Sequence, residues 1–393
     1  MKRLLFALAA VAGLFLSGCL STQRSAPKPG LTHIGSKPVV LPGHLIGNVL
    51  VIEDKWDKFG PYHFIVDTGS SVTLVSPDIA ARYRSGQPPP LDEPKVRVRS
   101  SEGGTASLAA VTLGRFQLAG ARFDYVPALV YDCTDLSSQF GVRIDGILGF
   151  PLFRKALLTL DYPNERIILR SGIPDDGIPG EIILFNNADK IPLIPVRLGD
   201  REFAALIDSG SAEAIDINPA GLSPEFSFGP VPGPTVSTLA GDRPSRVGRL
   251  SGVLRIGSFD VPNPVAEVTD ELSSLGGGLL SRFTITFDQQ HDEAFFQCDS
   301  ADSLRIPPIR GTGMSFRKTP AYWRVIGVVP DSPAARAGVK PGDLVSRISG
   351  EPASAWDPAR YEKLMAASGP VDYTFIDGAL EHTLPIGVST LVP

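Results

Sequence analysis

Two aspartates in this chain stand in matching surroundings. The stretch "FIVDTGSS" (64–71) runs three apolar residues, Phe64, Ile65 and Val66, into Asp67, and Thr68, Gly69 and Ser70 follow. The stretch "ALIDSGSA" (205–212) repeats that order around Asp208, with Ser209, Gly210 and Ser211 behind it. An apolar run of this kind reads as a buried strand. Carrying a lone carboxylate inward on such a strand is costly. Two acids brought face to face remove the difficulty, because they share a proton and titrate in two coupled steps. One member is then a base at a pH where the other is an acid. Such a pair can drive water onto an amide carbonyl and protonate the leaving nitrogen. An Asp before a turn, taken singly, is more simply a turn or capping residue; the matched pair argues for chemistry.

The elements that must position the acids are also duplicated. From average residue usage, such a hexad arises by chance on the order of once per hundred thousand positions. "PVRLGDREFAALIDSG" (195–210) reads as strand, turn and strand ending at Asp208, and "NVLVIEDKWDKFGPYHFIVDTG" (48–69) does the same with a longer turn. Downstream, "GFPLFRKALLTLDYPNERIIL" (149–169) matches "GGGLLSRFTITFDQQHDEAFF" (276–296), which sets Asp161 opposite Asp288. Each copy has a middle hairpin, expected around Gly103-Gly104 and around Gly241-Asp242. Short helices are expected after each Asp strand, one capped by Ser76 and opened by Pro77, another starting at Asn218-Pro219. The chain therefore holds two unequal copies of one β-rich unit. A pseudo-twofold axis between them brings Asp67 and Asp208 together. The glycines permit close backbone approach, and the hydroxyls of Thr68, Ser70, Ser209 and Ser211 are available to satisfy buried lone pairs.

"VDTGSS" and "IDSGSA" resemble the two active-site signatures of aspartic peptidases, in the two-lobed pepsin-like or fused retropepsin-like form. "IDGILGF" (144–150) resembles the apolar-apolar-Gly element that crosses behind the catalytic loop in that family, and "LGGGLLSRF" (275–283) is a weaker second version. The resemblance covers roughly residues 38–300. It implies that Asp67 and Asp208 are the catalytic dyad and that Thr68 and Ser209 form a hydrogen-bonded grip between the loops. It further implies that Ser70 and Ser211 bond the outer carboxylate oxygens, while Gly103 and Gly104 form a flap over bound peptide. No tyrosine stands near "SSEGGTAS" (100–107), a departure from the pepsin pattern.

Both ends carry further modules. "MKR" and the apolar "LLFALAAVAGLFL" form a targeting segment too short to span a membrane comfortably as a permanent helix. The "LSGC" that follows resembles the lipobox of bacterial lipoprotein signal peptides. This implies cleavage after residue 18 and acylation of Cys19, a firm anchor for a soluble domain. Leu20 after the cysteine implies an exported protein on the periplasmic face of the outer membrane. "STQRSAPKPG" (21–30) reads as a flexible tether. At the other end, "SPAARAGVKPGDLV" (332–345) resembles the signature of bacterial PDZ domains, over about residues 309–390. By that resemblance "GTGMSF" (311–316), with Gly313, Met314, Ser315 and Phe316, is the loop and strand that hold a peptide C-terminus. The alternative is a PDZ fold that packs on the peptidase and binds nothing.

Composition limits the other possibilities. The 393 residues are 43% hydrophobic and 20% charged, with 40 Gly and 36 Pro, as in a soluble β-rich protein of two or three packed units. Net charge is −5 without a basic stripe, so nucleic acid is not an expected partner. The five histidines are scattered and no H-E-x-x-H or paired Cys ligands occur, so neither metal nor cofactor is expected. Cys133 and Cys298 allow one disulfide or two separate thiols. The expected fold is mainly β: a two-lobed, pseudo-twofold acid-protease-like β-barrel domain followed by a PDZ-like α+β domain. Its parts are a signal peptide (1–18), lipidated Cys and tether (19–37), lobe 1 (38–172), lobe 2 (173–304) and PDZ domain (305–393). Both acids lie on one chain, so a monomer suffices for the dyad. The expected function is aspartic endopeptidase acting on proteins or peptides, with a PDZ domain binding substrate or partner peptides. The competing expectation is a catalytically inactive, membrane-tethered peptide-binding lipoprotein.

Overall fold

A computed structural model describes residues 30–55, 57–86, 95–99, 105–238, 241–299, 304–319, 321–367 and 369–393. The expected signal peptide and lipidation site Cys19, most of the expected tether and the expected flap glycines Gly103 and Gly104 lie outside those residues. The expected tether ends early. Thr32–His33 adds as a short strand to Ala121–Val130, and His33 pairs with Asp124.

The protein is mainly β. Its organising element is a run of six antiparallel strands to which each half contributes three. In order they are Glu181–Leu184, Glu293–Gln297, Thr284–Asp288, Leu157–Asp161, Arg166–Arg170 and Val39–Ile46. The two central strands are the sequence-matched pair "LTLD" and "ITFD". They pair with each other, Leu157 opposite Asp288 and Asp161 opposite Thr284, so the register is symmetric about Thr159 and Thr286. The pseudo-twofold axis therefore passes between these threonines.

The seam continues into the sheet of the first half, and the second half forms a separate sheet of its own. In the first, Val39–Ile46 leads through Val49–Asp54 to Tyr62–Asp67, whose other neighbour is the parallel strand Gly146–Gly149. In the second, Leu193–Leu198 and Arg201–Asp208 pair antiparallel, and Arg201–Asp208 runs parallel to Ser274–Gly276. A large apolar core fills both halves and the seam, including Phe150, Phe153, Phe283 and Phe287. A smaller cluster (Val49, Ile65, Leu74, Phe140, Ile144, Ile147) covers the opposite face of the first sheet.

Local signals place most elements. Ser76 Oγ accepts from the Ile79 N–H and Pro77 opens helix Pro77–Tyr83. Two expectations are corrected. No helix follows Asn218: the Asn218 side chain closes a turn onto the Ala220 N–H, and left-handed backbone at Gly221 and Ser223 stops propagation. Gly241 and Asp242, expected at the turn of the second hairpin, belong to its returning strand Gly241–Leu250, with Gly241 opposite Thr238. A helix with no side-chain cap, Thr134–Phe140, follows Cys133. Cys133 and Cys298 are not bonded to each other. Burial pushes the Cys133 thiol up to about 12.

The C-terminal domain has its own core around Trp323, Val345, Tyr373 and Phe375. Its sheet runs Met314–Lys318, Trp323–Val328, Leu344–Ile348, Pro370–Asp377, Leu380–Gly387, which leaves Met314–Lys318 at an edge. Ser332 caps helix Pro333–Arg336, and Asp357 caps helix Pro358–Ala366. A two-stranded ribbon, Ile309–Gly311 with Ser389–Val392, ties the domain back, and Val392 is buried in the core of the two-lobed unit.

Candidate active site

Each acid ends a strand beside a glycine of its parallel neighbour. Asp67 lies opposite Gly149, and Asp208 lies opposite Gly276. The two crossing elements thus do the same work, although the second is the weaker pattern in the sequence. Neither glycine has room for a side chain: a Cβ on Gly149 would stand 2.3 Å from the Val72 carbonyl oxygen, and one on Gly276 2.4 Å from that of Glu213.

The loops behind the acids are interlocked. The Thr68 N–H donates to Ser209 Oγ at 2.9 Å, and the Ser209 N–H donates to Thr68 Oγ1 at 3.0 Å. Each hydroxyl then donates to a carbonyl of the opposite strand, Thr68 to Ile207 and Ser209 to Val66. Thr68 and Ser209 are fully buried. Every polar atom in this square therefore has a partner, the condition under which a buried polar network rigidifies a site.

The acids face across the same axis. A Cβ on Gly69 would meet the Asp208 carboxyl carbon at 2.5 Å, and one on Gly210 would meet that of Asp67 at 2.5 Å. Each loop thus uses the space of a missing side chain to seat the other loop's acid. The two carboxyls are close enough for each to act on the other's titration. Burial raises both above the usual carboxylate range, and the facing charge of Asp208 adds to the rise at Asp67. Backbone N–H groups oppose this, those of Gly69 and Ser70 at Asp67 and those of Gly210 and Ser211 at Asp208.

Ser70 and Ser211 act differently from the expectation. Ser70 Oγ donates to the Val72 carbonyl at 2.7 Å, and Ser211 Oγ accepts from the Glu213 N–H at 3.3 Å. Both hydroxyls brace their own turn, because an acceptor or donor two residues away is reached at little entropic cost. Sequence reasoning also missed Tyr162. Its buried ring follows Asp161 directly, and both acids lie close enough to suppress its ionisation, after burial itself. The run "LDYPN" after the matched strand was the available signal.

The pair opens into a cleft of about 650 Å³. Its first-lobe side carries the apolar side chains Val49, Ile65, Leu74, Phe140 and Ile147 together with Arg97, Arg99 and Gln139. Its second-lobe side carries Asp216 and the ion pair of Arg243 with buried Glu267, whose carboxyl burial pushes up against the pull of Arg243. Strand Lys95–Arg99, half of the expected flap hairpin, borders the opening and pairs with Thr105–Leu118. Arg99 reaches over to Glu271 of the second lobe, with Nη2 at 2.6 and 2.7 Å from its carboxylate oxygens.

Of the expected PDZ peptide-binding residues, Gly313 adopts φ +92°, and a Cβ there would strike Ser332 at 2.2 Å. Met314 and Phe316 lean on the C-terminal core, the Phe316 ring meeting Tyr361 edge-on at 5.8 Å and Trp323 at 5.4 Å. Ser315 points away from that core and accepts the Thr235 N–H of the second lobe at 2.9 Å.

Comparison with known proteins reaches both parts. Residues 324–372 match the family described as PDZ domain, and residues 55–152 match the family described as aspartyl protease. The second of these segments includes Asp67 and ends before Asp208, which enters through the repeat. No curated protein matches the chain. Among solved structures, the crystal structure of the HtrA3 PDZ domain bound to a phage-derived ligand (FGRWV) is similar at 19% identity, over 22% of this chain and 89% of that one, with a TM-score of 0.19. The chain thus carries an aspartyl protease domain followed by a PDZ domain.

Proposed function

We propose that this protein is an aspartic endopeptidase whose Asp67 and Asp208 activate water against a peptide bond. One observation carries the reading: each acid fills the space left by the glycine of the opposite loop, so the carboxyls are locked face to face. A pair so placed holds one proton. The ionised member takes a proton from water as the oxygen attacks the carbonyl carbon. The protonated member donates to the carbonyl oxygen, and the tetrahedral species collapses as the amide nitrogen is protonated. The square of hydrogen bonds through Thr68 and Ser209 holds both loops in place, and positional error of about 1 Å can cost on the order of a hundredfold in rate. The cleft and its bordering strand suit an extended polypeptide.

The same reading places the enzyme on a membrane through an acylated Cys19, on the periplasmic side, with the PDZ domain engaging substrate or partner peptides. Incorporation of labelled palmitate that survives Cys19→Ala would remove the anchor from this account. For the chemistry, the test is digestion of a peptide library across pH 3–8 by the wild type and by Asp67→Asn and Asp208→Asn. Both variants should fold and lose cleavage. Full activity in either one rejects the dyad.

A further inference from the structure

The PDZ domain is built into the cleft. Phe316 and Ile326, on adjacent strands of that domain, line the same cavity as Asp67 and Asp208. Both are half-buried, with surface left to offer a ligand. Around them the docking is specific. Ser315 bonds the backbone of Thr235, and Thr235 with its neighbours Pro234 and Val236 also lines the cavity. Gly327, next to Ile326, approaches Thr235 so closely that a Cβ would stand 1.9 Å from its Oγ1. Arg317 reaches both lobes, Asp242 of the second at 2.9 Å and Asp135 of the first at 3.8 Å. Burial of Val392 in the two-lobed core fixes the domain at a separate point.

These contacts give the cleft a chemical end as well as a wall. Helix Thr134–Phe140 packs against strand Met314–Lys318, and its Leu136 and Phe140 join Phe316 and Ile326 in lining the cavity. All four are apolar, whereas the second-lobe side carries Asp216, Arg243 and Glu267. An extended chain lying in the cleft therefore meets one apolar patch supplied jointly by helix Thr134–Phe140 and the PDZ domain.

We infer that Phe316 and Ile326 are specificity-determining residues that select an apolar side chain of the polypeptide substrate, so that the PDZ domain reads sequence at the cleft itself. This rests on the peptidase reading above. It differs from recognition of a free C-terminus in the groove between Met314–Lys318 and helix Pro358–Ala366, because the selected residue lies inside the chain, at a fixed distance from the cut bond.

The experiment compares the full chain with Ile326→Asp, Ile326→Leu and Arg317→Glu on a library of internally quenched peptides. The wild type should prefer an apolar residue at one position relative to the cut. Ile326→Asp should lose that preference, with kcat/KM on apolar substrates down by on the order of ten- to a hundredfold, mainly through KM. Ile326→Leu should stay near wild type, which guards against a folding defect at this site. Arg317→Glu sets like charges against Asp135 and Asp242, and should weaken the same preference while leaving the C-terminal core intact. An unchanged cleavage profile in Ile326→Asp overturns the inference while leaving the peptidase reading standing. A wild type that cuts nothing overturns the peptidase reading instead. In that event, fluorescence anisotropy with the same apolar peptides still decides about the wall: equal affinity of wild type and Ile326→Asp rejects it.

Discussion

Thr159 and Thr286 meet hydroxyl to hydroxyl at 2.8 Å, at the point where the strands of the two halves pair symmetrically. Both side chains are buried, at 9% and 7% exposure. Each is therefore the other's partner in a place that water hardly reaches. Thr159→Val strands the Thr286 hydroxyl, and about 1–3 kcal/mol of stability should be lost. Thr159→Val with Thr286→Val replaces both partners by groups of the same shape, which is close to neutral. Urea denaturation of the two single variants and the double one measures this directly. A double variant as unstable as the sum of the singles would mean that the hydroxyl pair does not hold the seam.

The loops behind the acids should be more sensitive than the seam. Ser209→Ala removes the acceptor for the Thr68 N–H and the donor to the Val66 carbonyl in one step. Two buried backbone groups are left without partners, each costing about 1–3 kcal/mol. Activity should fall further than stability, since the same bonds set the spacing of the acids. Ser209→Thr keeps the hydroxyl and should restore part of both. A melting temperature for Ser209→Ala equal to wild type would show that the square is dispensable.

The acid pair also leaves a signature in stability against pH. Burial, and at Asp67 the facing charge, raise both carboxyls in the folded state. In the unfolded chain they return to ordinary values near 4. Above that pH the folded protein holds a proton that the unfolded chain has released, so stability falls as pH rises. The contribution of the pair is fully present below about pH 4 and is lost as pH climbs through the raised native values. The slope for one proton is about 1.4 kcal/mol per pH unit. Asp67→Asn with Asp208→Asn abolishes it. The wild type minus this variant, followed by denaturant unfolding from pH 4 upward, isolates the pair from every other titrating group. In activity, the same raised value moves the alkaline limb of the rate profile upward.

Much of this was legible in the chain because it is encoded locally and twice. The matched hexads located both acids, and the duplicated "LTLD" and "ITFD" located the strands that meet at the axis. "LGGGLLSRF" looked weak beside "IDGILGF", yet Gly276 takes the same register against Asp208 as Gly149 takes against Asp67. What the element requires is a glycine at that register, and flanking identity matters less. Features set by backbone conformation were harder to read. Asn218-Pro219 has the composition of a helix start, and only the left-handed backbone at Gly221 and Ser223 turns it into a closed turn. Helix Thr134–Phe140 has no side-chain cap to announce it. Ser70 and Ser211 have the right type and spacing to bond the acids, but a local partner wins. The docking of the PDZ domain left no trace in the sequence, since Ser315, Arg317 and Ile326 look like ordinary strand residues until a second domain is set against them.

The contact between Arg99 and Glu271 bridges the hairpin strand of the first lobe to the second lobe across the mouth of the cleft. Arg99 is 67% exposed and Glu271 18%. Exposed pairs of this kind contribute about 0–1 kcal/mol and weaken with salt. On the peptidase reading, the bond is strong enough to bias the position of the strand and weak enough to yield when a substrate enters. Arg99→Ala should leave the melting temperature within about a degree or two of wild type, consistent with that small energy. Its effect belongs in KM: substrate held under a looser strand dissociates more readily, by a few-fold at low ionic strength. Raising the salt from 0.01 M to 1 M shortens the screening length from about 30 Å to about 3 Å. It should bring wild type and Arg99→Ala together, because it removes from one what the substitution removes from the other. A KM difference that persists undiminished at 1 M salt would mean that Arg99 touches substrate directly and that its pairing with Glu271 is incidental.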